Sequence, residues 1–473
     1  MAFQLPIDCL IKILECLEDD KVTLYSCLLV NRLWCRISVE ILWRYILNPA
    51  GKDIPYKQFK TLINLLPKES KDLIRNWRIS IPNSTSKSPL FNYASFLKVL
   101  SIPYILYVNS FYNGIYDETY IPNILITEEI LKMFMKQTPS LKRLDFCSTN
   151  KFSCDEIYYG FERIPSFILN LPGAKDCLKN LSELKCSTDF NLNSDFLCKL
   201  SSICHNIQLL EIHLCYYTQN DGLEDLILSQ NNLKSLSFIK HYRNHNYNYD
   251  DNDKQWSKIV SSLKPHSSTI TNLLFEYRNA DFKELQHITF PHLQILKLVN
   301  CPVEVNMLIN FLENNGKSLK ELYVNECNNS LNLAIAEFCP NLKSLYTKFP
   351  KNGTEILEAI FKNCQQLNSI KTICDDSYIG GKIILEIVVK YSPKNFRELK
   401  LLILSSHEKL SSEDLQLFFT GWEARIPQNP ISLIISYDNS FEIDINIDEI
   451  ITKYKKIIKK FKIKKKYFLI YSF

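Results

Sequence analysis

One phrase recurs along this chain and restricts what it can fold into. An apolar residue is followed by two variable residues, a leucine, one variable residue and a second apolar residue. It is written as Leu141-Lys-Arg-Leu144-Asp-Phe146, Ile207-Gln-Leu-Leu210-Glu-Ile212 and Leu233-Lys-Ser-Leu236-Ser-Phe238. It returns as Leu293-Gln-Ile-Leu296-Lys-Leu298 and Leu319-Lys-Glu-Leu322-Tyr-Val324. Shorter copies centre on Leu184, Leu273, Leu345, Ile370 and Leu399. Most steps between successive anchors are 23 to 29 residues, and two longer ones, of 40 and 37, mark insertions. A unit of that length cannot bury its own apolar face, so a fixed period of this size predicts units stacked into an array.

Cysteine supports the same period. Cys215, Cys301 and Cys327 each fall five residues after an anchor, and Cys204, Cys339 and Cys364 each fall six before one. One residue type at fixed offsets points to equivalent buried slots rather than to disulfides or metal ligation. The chain has 16 cysteines with no two spaced as CxxC, which leaves no zinc knuckle and no thioredoxin-like motif. The pattern resembles the cysteine-containing class of leucine-rich repeat. That resemblance implies an α/β fold, one short strand and one helix per repeat, with a curved parallel sheet inside and helices on the convex side.

In such strands the anchors point inward and their neighbours point outward. The outward positions predict a partner-binding surface from Arg143, Asp145, Glu211, His213, Lys297, Glu321, Tyr323, Tyr346, Lys371 and Lys400. Both charges mixed with tyrosine suit a protein partner; a plain solvated sheet face is the alternative.

Composition excludes several classes. Glycine is scarce at 10 residues, and GxGxxG, GxxxxGK[ST] and GxSxG are all absent. Net charge is only +5, so nucleic acid is not an expected partner of the whole chain. The first residues lack a basic n-region, and Asp8, Lys12 and Glu15 interrupt any apolar run, so no signal peptide is expected. No run of 18 apolar residues exists to span a membrane. The expectation is a cytoplasmic or nuclear protein with free thiols, no cofactor and no metal.

The first 47 residues form a separate pattern. Pro6 suits the first position of a helix and Asp8 its first turn. Leu10, Ile13, Leu14 and Leu17 share one face. A second helix is expected to run to about Val30, and a third begins near Asn31 with Trp34, Ile37, Ile41 and Tyr45. Three helices in so few residues make a marginal core, and an apolar face left over calls for a partner. Leu5-Pro6-x-Asp8-x-Leu10-x-x-Ile13-Leu14-x-x-Leu17, Val30-Asn31-Arg32-Leu33-Trp34 and Leu42-Trp43 resemble the landmarks of the F-box. The resemblance implies docking on a Skp-type adaptor and, through it, a cullin–RING ubiquitin ligase. It also implies that Leu5, Pro6, Leu10, Leu14, Val30 and Trp34 lie at or just under the adaptor surface.

The rest of the chain divides accordingly: residues 1–47 as F-box, 48–138 as a helical linker, 139–446 as the repeat array and 447–473 as a C-terminal cap. In the linker, helices are expected over Pro55–Arg75, Leu90–Leu100 and from Thr127 to just before Pro139, with a loop at Ser80–Pro89. In the cap, Ile447, Ile450, Ile451, Tyr454, Ile457, Ile458 and Phe461 recur at helical spacing, and nine lysines lie between Lys453 and Lys466. An amphipathic helix with a basic outer face is expected there, closed by a strand at Tyr467–Tyr471. Nuclear targeting, or contact with an acidic membrane or nucleic acid, are the other readings of those lysines. His241 and His245 with Asp250, Asp251 and Asp253 have a spacing compatible with metal, but the interleaved asparagines favour a polar insertion. Glu413 and Asp414 read as helix-dipole compensation rather than acid–base chemistry.

The expected function is substrate recognition for a Skp–cullin–F-box ubiquitin ligase: the F-box docks on the adaptor and the array holds a target protein. The alternative is a leucine-rich-repeat scaffold that binds adaptor without ubiquitination. No nucleophile–base pair, metal cluster or phosphate loop points to an enzyme.

Overall fold

The computed structural model describes residues 5–47, 56–77, 89–113, 121–147, 164–187, 194–214, 221–240, 253–276, 283–301, 303–405, 407, 409–426, 429–438 and 447–466. The loop at 80–88, the polar insertion at 241–252, Cys215 and the expected strand at 467–471 lie outside them. The chain forms two compact units, Met1–Leu233 with His241–Asn244, and Lys234–Lys240 with His245–Phe473.

The first unit opens with helices α1 (Ile7–Glu15), α2 (Lys21–Cys27) and α3 (Arg32–Arg44). Each start has a local cause. Pro6 is the residue before the first turn rather than within it. The Asp20 carboxylate accepts from the Thr23 N–H at 3.1 Å, and the Asn31 side chain accepts from the Trp34 N–H at 3.0 Å. Leu10, Leu14, Leu24, Cys27, Ile37 and Ile41 form the core between the helices. Arg44 ties the unit together, donating to Glu15 at 2.9 Å and to Glu40 at 3.1 Å.

Four parallel strands follow in sequence order: β1 (Val99–Ser101), β2 (Arg143–Asp145), β3 (Glu183–Ser187) and β4 (Leu209–Leu214). Their register aligns the anchors Leu100, Leu144, Leu184 and Leu210, all fully buried. Leu47 makes a parallel bridge to Leu100, and the Trp43 ring lies 4.3 Å from that of Tyr93. The end of the three-helix unit is therefore fused to the first repeat.

β1 corrects the expectation of a helix over Leu90–Leu100. Only a 3₁₀ turn at Tyr93–Phe96 precedes the strand. The repeat phrase is in fact present there, as Leu97-Lys-Val-Leu100-Ser-Ile102. The first repeat thus lies inside the stretch read as linker. The expected Pro55–Arg75 helix is two, Tyr56–Leu65 and Lys68–Asn76, because Pro67 cannot continue a helix from within. The helix expected from Thr127 starts earlier and spans Ile121–Gln137.

The second unit holds β5 (Ser235–Lys240), β6 (Asn272–Glu276), β7 (Ile295–Val299), β8 (Glu321–Val324) and β9 (Ser344–Tyr346). These are followed by β10 (Ser369–Cys374), β11 (Glu398–Ile403), β12 (Ile431–Asp438) and β13 (Ile458–Lys466). Within this unit each pairs in parallel with its sequence neighbours. One buried row joins Leu236, Leu273, Leu296, Leu322, Leu345, Ile370, Leu399, Leu433 and Phe461. Between later strands the chain returns through helices Val305–Asn315, Asn329–Phe338, Thr354–Asn363, Gly381–Tyr391 and Ser412–Glu423, each burying an apolar stripe. Ser411 and Asp414 form a capping box on the last of these, so their polar groups are used in starting the helix. Both units are α/β stacks of the leucine-rich-repeat type.

The C-terminal stretch is not one amphipathic helix. A short helix, Ile447–Lys453, gives way to β13. From Lys460 to Lys464 lysine alternates with Phe461 and Ile463, which is the period of a strand. An edge offered by β12 then decides the outcome, with Lys459 accommodated as an extra residue beside Ile431.

The cysteine periodicity has a physical counterpart. In several repeats the residue six before the anchor reaches, with its side chain, the carbonyl of the same slot one repeat earlier. The Cys204 thiol donates to Leu178 O at 3.3 Å, and that of Cys364 to Cys339 O at 3.3 Å. Thr138 Oγ1 donates to Ala94 O at 2.9 Å, and Gln230 Nε2 to Cys204 O at 2.9 Å. Burial pushes the Cys204 and Cys364 thiols up to about 12, so they are neutral donors in a ladder rather than nucleophiles. Among the described residues, no helix is long and apolar enough to cross a membrane.

Candidate partner-binding surfaces

The three-helix unit spends part of its apolar set on its own core and leaves part outside. Leu10 and Leu14 are 4% and 0% exposed and pack inside, so they support a surface and cannot touch a partner directly. Trp34 is half-buried against the same core. Leu5 and Val30 are each 56% exposed, and Pro6 is exposed. Ile7, Val22, Tyr25 and Leu29 are exposed too, although spacing alone did not single them out. Val22, Tyr25 and Leu29 follow helical spacing along α2 and the turn after it. The signal for them was α2's composition: Leu24 and Cys27 fill the core, and the other apolar residues have nowhere inward to go. α2 also ends three residues sooner than expected, which puts Val30 in the turn before α3.

On the sheet of the first unit, the predicted residues come together but are paired, with one another or with strand neighbours. Arg143 lies beside Glu183 in register and forms an ion pair with it. Lys185 reaches Glu211 at 2.9 Å, and His213 Nε2 reaches the other Glu211 oxygen at 2.7 Å. Burial pushes the Glu211 carboxyl up, but the bonds and charges of His213 and Lys185 outweigh it and hold the group at about 2. Asp145 departs from the expected outward position: it is buried, and its carboxylate accepts from the Cys147 N–H at 2.8 Å. Burial raises it to about 6, against the pull of that hydrogen bond and of Lys185. This surface largely neutralises itself.

The sheet of the second unit is different. Tyr323 and Tyr346 are register neighbours with rings stacked at 3.9 Å and 11°. The Tyr346 hydroxyl donates to Asn325 Oδ1 at 3.1 Å. Burial raises Tyr323 far above the ordinary phenol range and pushes Tyr346 up to about 12, so both stay neutral hydroxyls. Lys371 Nζ stands 5.2 Å from the Tyr346 ring centre and 5.9 Å from that of Tyr323. Lys297 pairs with Glu321 at 3.4 Å, and Lys400 with Glu398 at 2.6 Å. These side chains border a hollow of about 340 Å³, whose lining includes Tyr323, Tyr346, Lys297, Glu321, Lys371 and Lys400. Six predicted residues therefore converge on one concavity. Tyr346 is 3% exposed and serves as its floor rather than its rim.

Three more residues join this surface that helical spacing concealed. Lys460, Lys462 and Lys464 are exposed on β13, in register with Ser432, Ile434 and Ser436 of β12. Alternation with Phe461 and Ile463 was the signal that could have found them.

No protein-family model matches the chain, and no curated protein matches it. Among solved structures the chain is similar to one from the complex of Rad7 and Elc1 in yeast. The identity is 17% over 71% of this chain and 78% of that chain, with a TM-score of 0.47. It is also similar to the leucine-rich repeat-containing protein LegL7 from Legionella pneumophila, at 16% identity over 66% of this chain and 90% of that chain, with a TM-score of 0.33.

Proposed function

We propose that the chain is the substrate-recognition subunit of a Skp–cullin–F-box ubiquitin ligase. The three-helix unit docks on a Skp-type adaptor, and the repeat array holds a target protein. What carries the reading is the apolar set left outside a small three-helix core: Leu5, Ile7, Val22, Tyr25, Leu29 and Val30. Exposed apolar residues concentrated on so small a unit mark an association surface. Two of them, Leu5 and Val30, belong to the F-box-like landmarks. On this reading the chain adds no catalytic group of its own. It raises the local concentration of a target lysine beside a ubiquitin-loaded enzyme held elsewhere in the cytosol or nucleus.

The test is capture of purified Skp-type adaptor by the full chain. Leu5→Asp with Pro6→Ala changes exposed residues only and leaves Leu10 and Leu14 in place. An affinity loss of about a hundredfold is expected for a central apolar pair, with an unchanged circular dichroism spectrum. Undiminished capture by the double variant would overturn the docking assignment.

A further inference from the structure

Strand β13 gives the sheet of the second unit a charge that its neighbours do not cancel. One residue past each anchor, register sets Tyr323, Tyr346, Lys371, Lys400, Ile434 and Lys462 side by side. Lys460 and Lys464 stand two residues to either side of Lys462 and so share its side of the strand. On the adjoining strand β12, Asp438 stands opposite Lys466 in register, beyond Lys464; one strand further away, on β11, the Glu398 carboxylate is held by Lys400 at 2.6 Å and by the Ser369 hydroxyl at 3.0 Å. Among the described residues, Lys460, Lys462 and Lys464 enter no ion pair. On the sheet of the first unit, by contrast, Arg143 meets Glu183 and Lys185 meets Glu211. Like charges gathered on one small surface repel each other, and a counter-charge brought by a partner relieves that cost.

We infer that this row is a docking strip for an acidic, extended segment of a protein partner, whose carboxylates seat on Lys371, Lys400 and Lys462 while an apolar side chain enters the hollow beside Tyr323. The inference rests on the target-binding half of the function proposed above and names the class of target segment. The dimensions agree. Lys371 to Lys462 spans three interstrand spacings of about 4.8 Å, or about 14 Å, which about four or five extended residues cover. The segment crosses the strands rather than adding to their edge, so its side chains and not its backbone carry the recognition.

Nucleic acid fits this surface less well. The row contains no arginine, the residue suited to bidentate phosphate contact. Tyr346 is stacked on Tyr323 and 3% exposed, which leaves it no free ring face for a base. Glu276 and Glu321 at the hollow repel a phosphate backbone, whereas a peptide can place an uncharged residue there.

The test is fluorescence anisotropy on the full-length chain. The probe is a short labelled peptide with one phenylalanine followed by a run of glutamates. The same peptide with glutamine for glutamate and a single-stranded oligonucleotide of equal charge are run beside it. The glutamate peptide should bind, and more weakly as salt is raised. Lys371→Gln with Lys400→Gln and Lys462→Gln should weaken it about ten-fold, from three partly screened pairs. Lys453→Gln with Lys455→Gln and Lys456→Gln removes equal charge away from the strand and should change binding less than about two-fold. The single Lys462→Glu variant repeats the test if the triple variant unfolds. Equal losses in the two triple variants, equal binding of the glutamine peptide, or tighter binding of the oligonucleotide would each overturn the inference. The Leu5→Asp, Pro6→Ala chain should bind the peptide normally, so failure here and failure of adaptor docking read out separately.

Discussion

Single residues in this protein are committed to roles that their types alone do not disclose. Asp145 and Glu211 lie on one sheet, and their titrations push stability in opposite directions. The Asp145 carboxyl is raised to about 6 from an ordinary 3.8, so the folded chain binds its proton more tightly than the unfolded chain does. That contribution is greatest below the unfolded value and is lost as pH rises through about 6, at a cost of about 3 kcal/mol. Glu211 is held at about 2 against an ordinary 4.5; its stabilisation is present above that value and is lost as pH falls towards 2. Asp145→Asn keeps an oxygen for the Cys147 N–H and removes the buried charge. The variant should melt higher than the parent at pH 7 and nearly level with it at pH 4, by thermal denaturation followed at both. A shift of equal size at the two pH values would show that the buried charge is not the cause. Gly316 is a second committed residue. It occupies the slot six residues before Leu322, where the next repeat brings its own Cys339. A Cβ there would stand 2.7 Å from Phe338 O and 2.8 Å from Cys339 Sγ. Gly316→Ala should destabilise by about 1–3 kcal/mol, the usual cost of overpacking, seen as a lowered urea midpoint at unchanged slope.

At the level of elements, what was legible depended on whether the causes were local. The anchors at Leu144 to Leu399 identified β2 to β11 because each strand is specified by its own inward leucine or, at Ile370, isoleucine. The cap Asn31 lies at the expected start of the third helix for the same reason. β1 was missed although Leu97-Lys-Val-Leu100 carries the phrase, because Phe91, Ala94 and Leu97 also satisfy a helical spacing. β13 was missed because Ile447 to Ile458 do continue a helical stripe; only the edge of β12, distant in sequence, makes a strand the better use of Phe461 and Ile463. The candidate surfaces divide similarly. Outward positions follow from strand period, so the convergence of Tyr323, Tyr346, Lys371 and Lys400 could be read from the sequence. Their availability could not: Asp145 is buried, and Glu211 is paired with Lys185 of the preceding repeat as well as with His213 of its own strand. In the three-helix unit, Leu10 and Leu14 were grouped with exposed Leu5 and Pro6 because the resemblance carries residue types, not which side of a helix each occupies.

For the molecule as a whole, stacking sets how damage spreads. Each repeat is held by its anchor and by the repeats next to it, and some by a slot contact as well, so energetic coupling falls off along the array. Leu399 illustrates the consequence. It is fully buried, aligned with Ile370 and Leu433 on adjacent strands, and far along the chain from the helices that carry the proposed adaptor surface. Leu399→Ala removes buried methyl groups and leaves a cavity, at a cost of about 2–5 kcal/mol. That loss should appear as faster amide hydrogen exchange in β10, β11 and β12, while amides of α1 to α3 and of β1 to β4 exchange as in the parent. Adaptor capture by the variant should be unchanged, and binding of the acidic peptide should weaken, since Lys371 and Lys400 ride on the loosened strands. Exchange accelerated evenly from α1 to β13 would mean that the chain unfolds as a single cooperative body. A separation of carrying unit from recognising surface could then not be read from mutations in either.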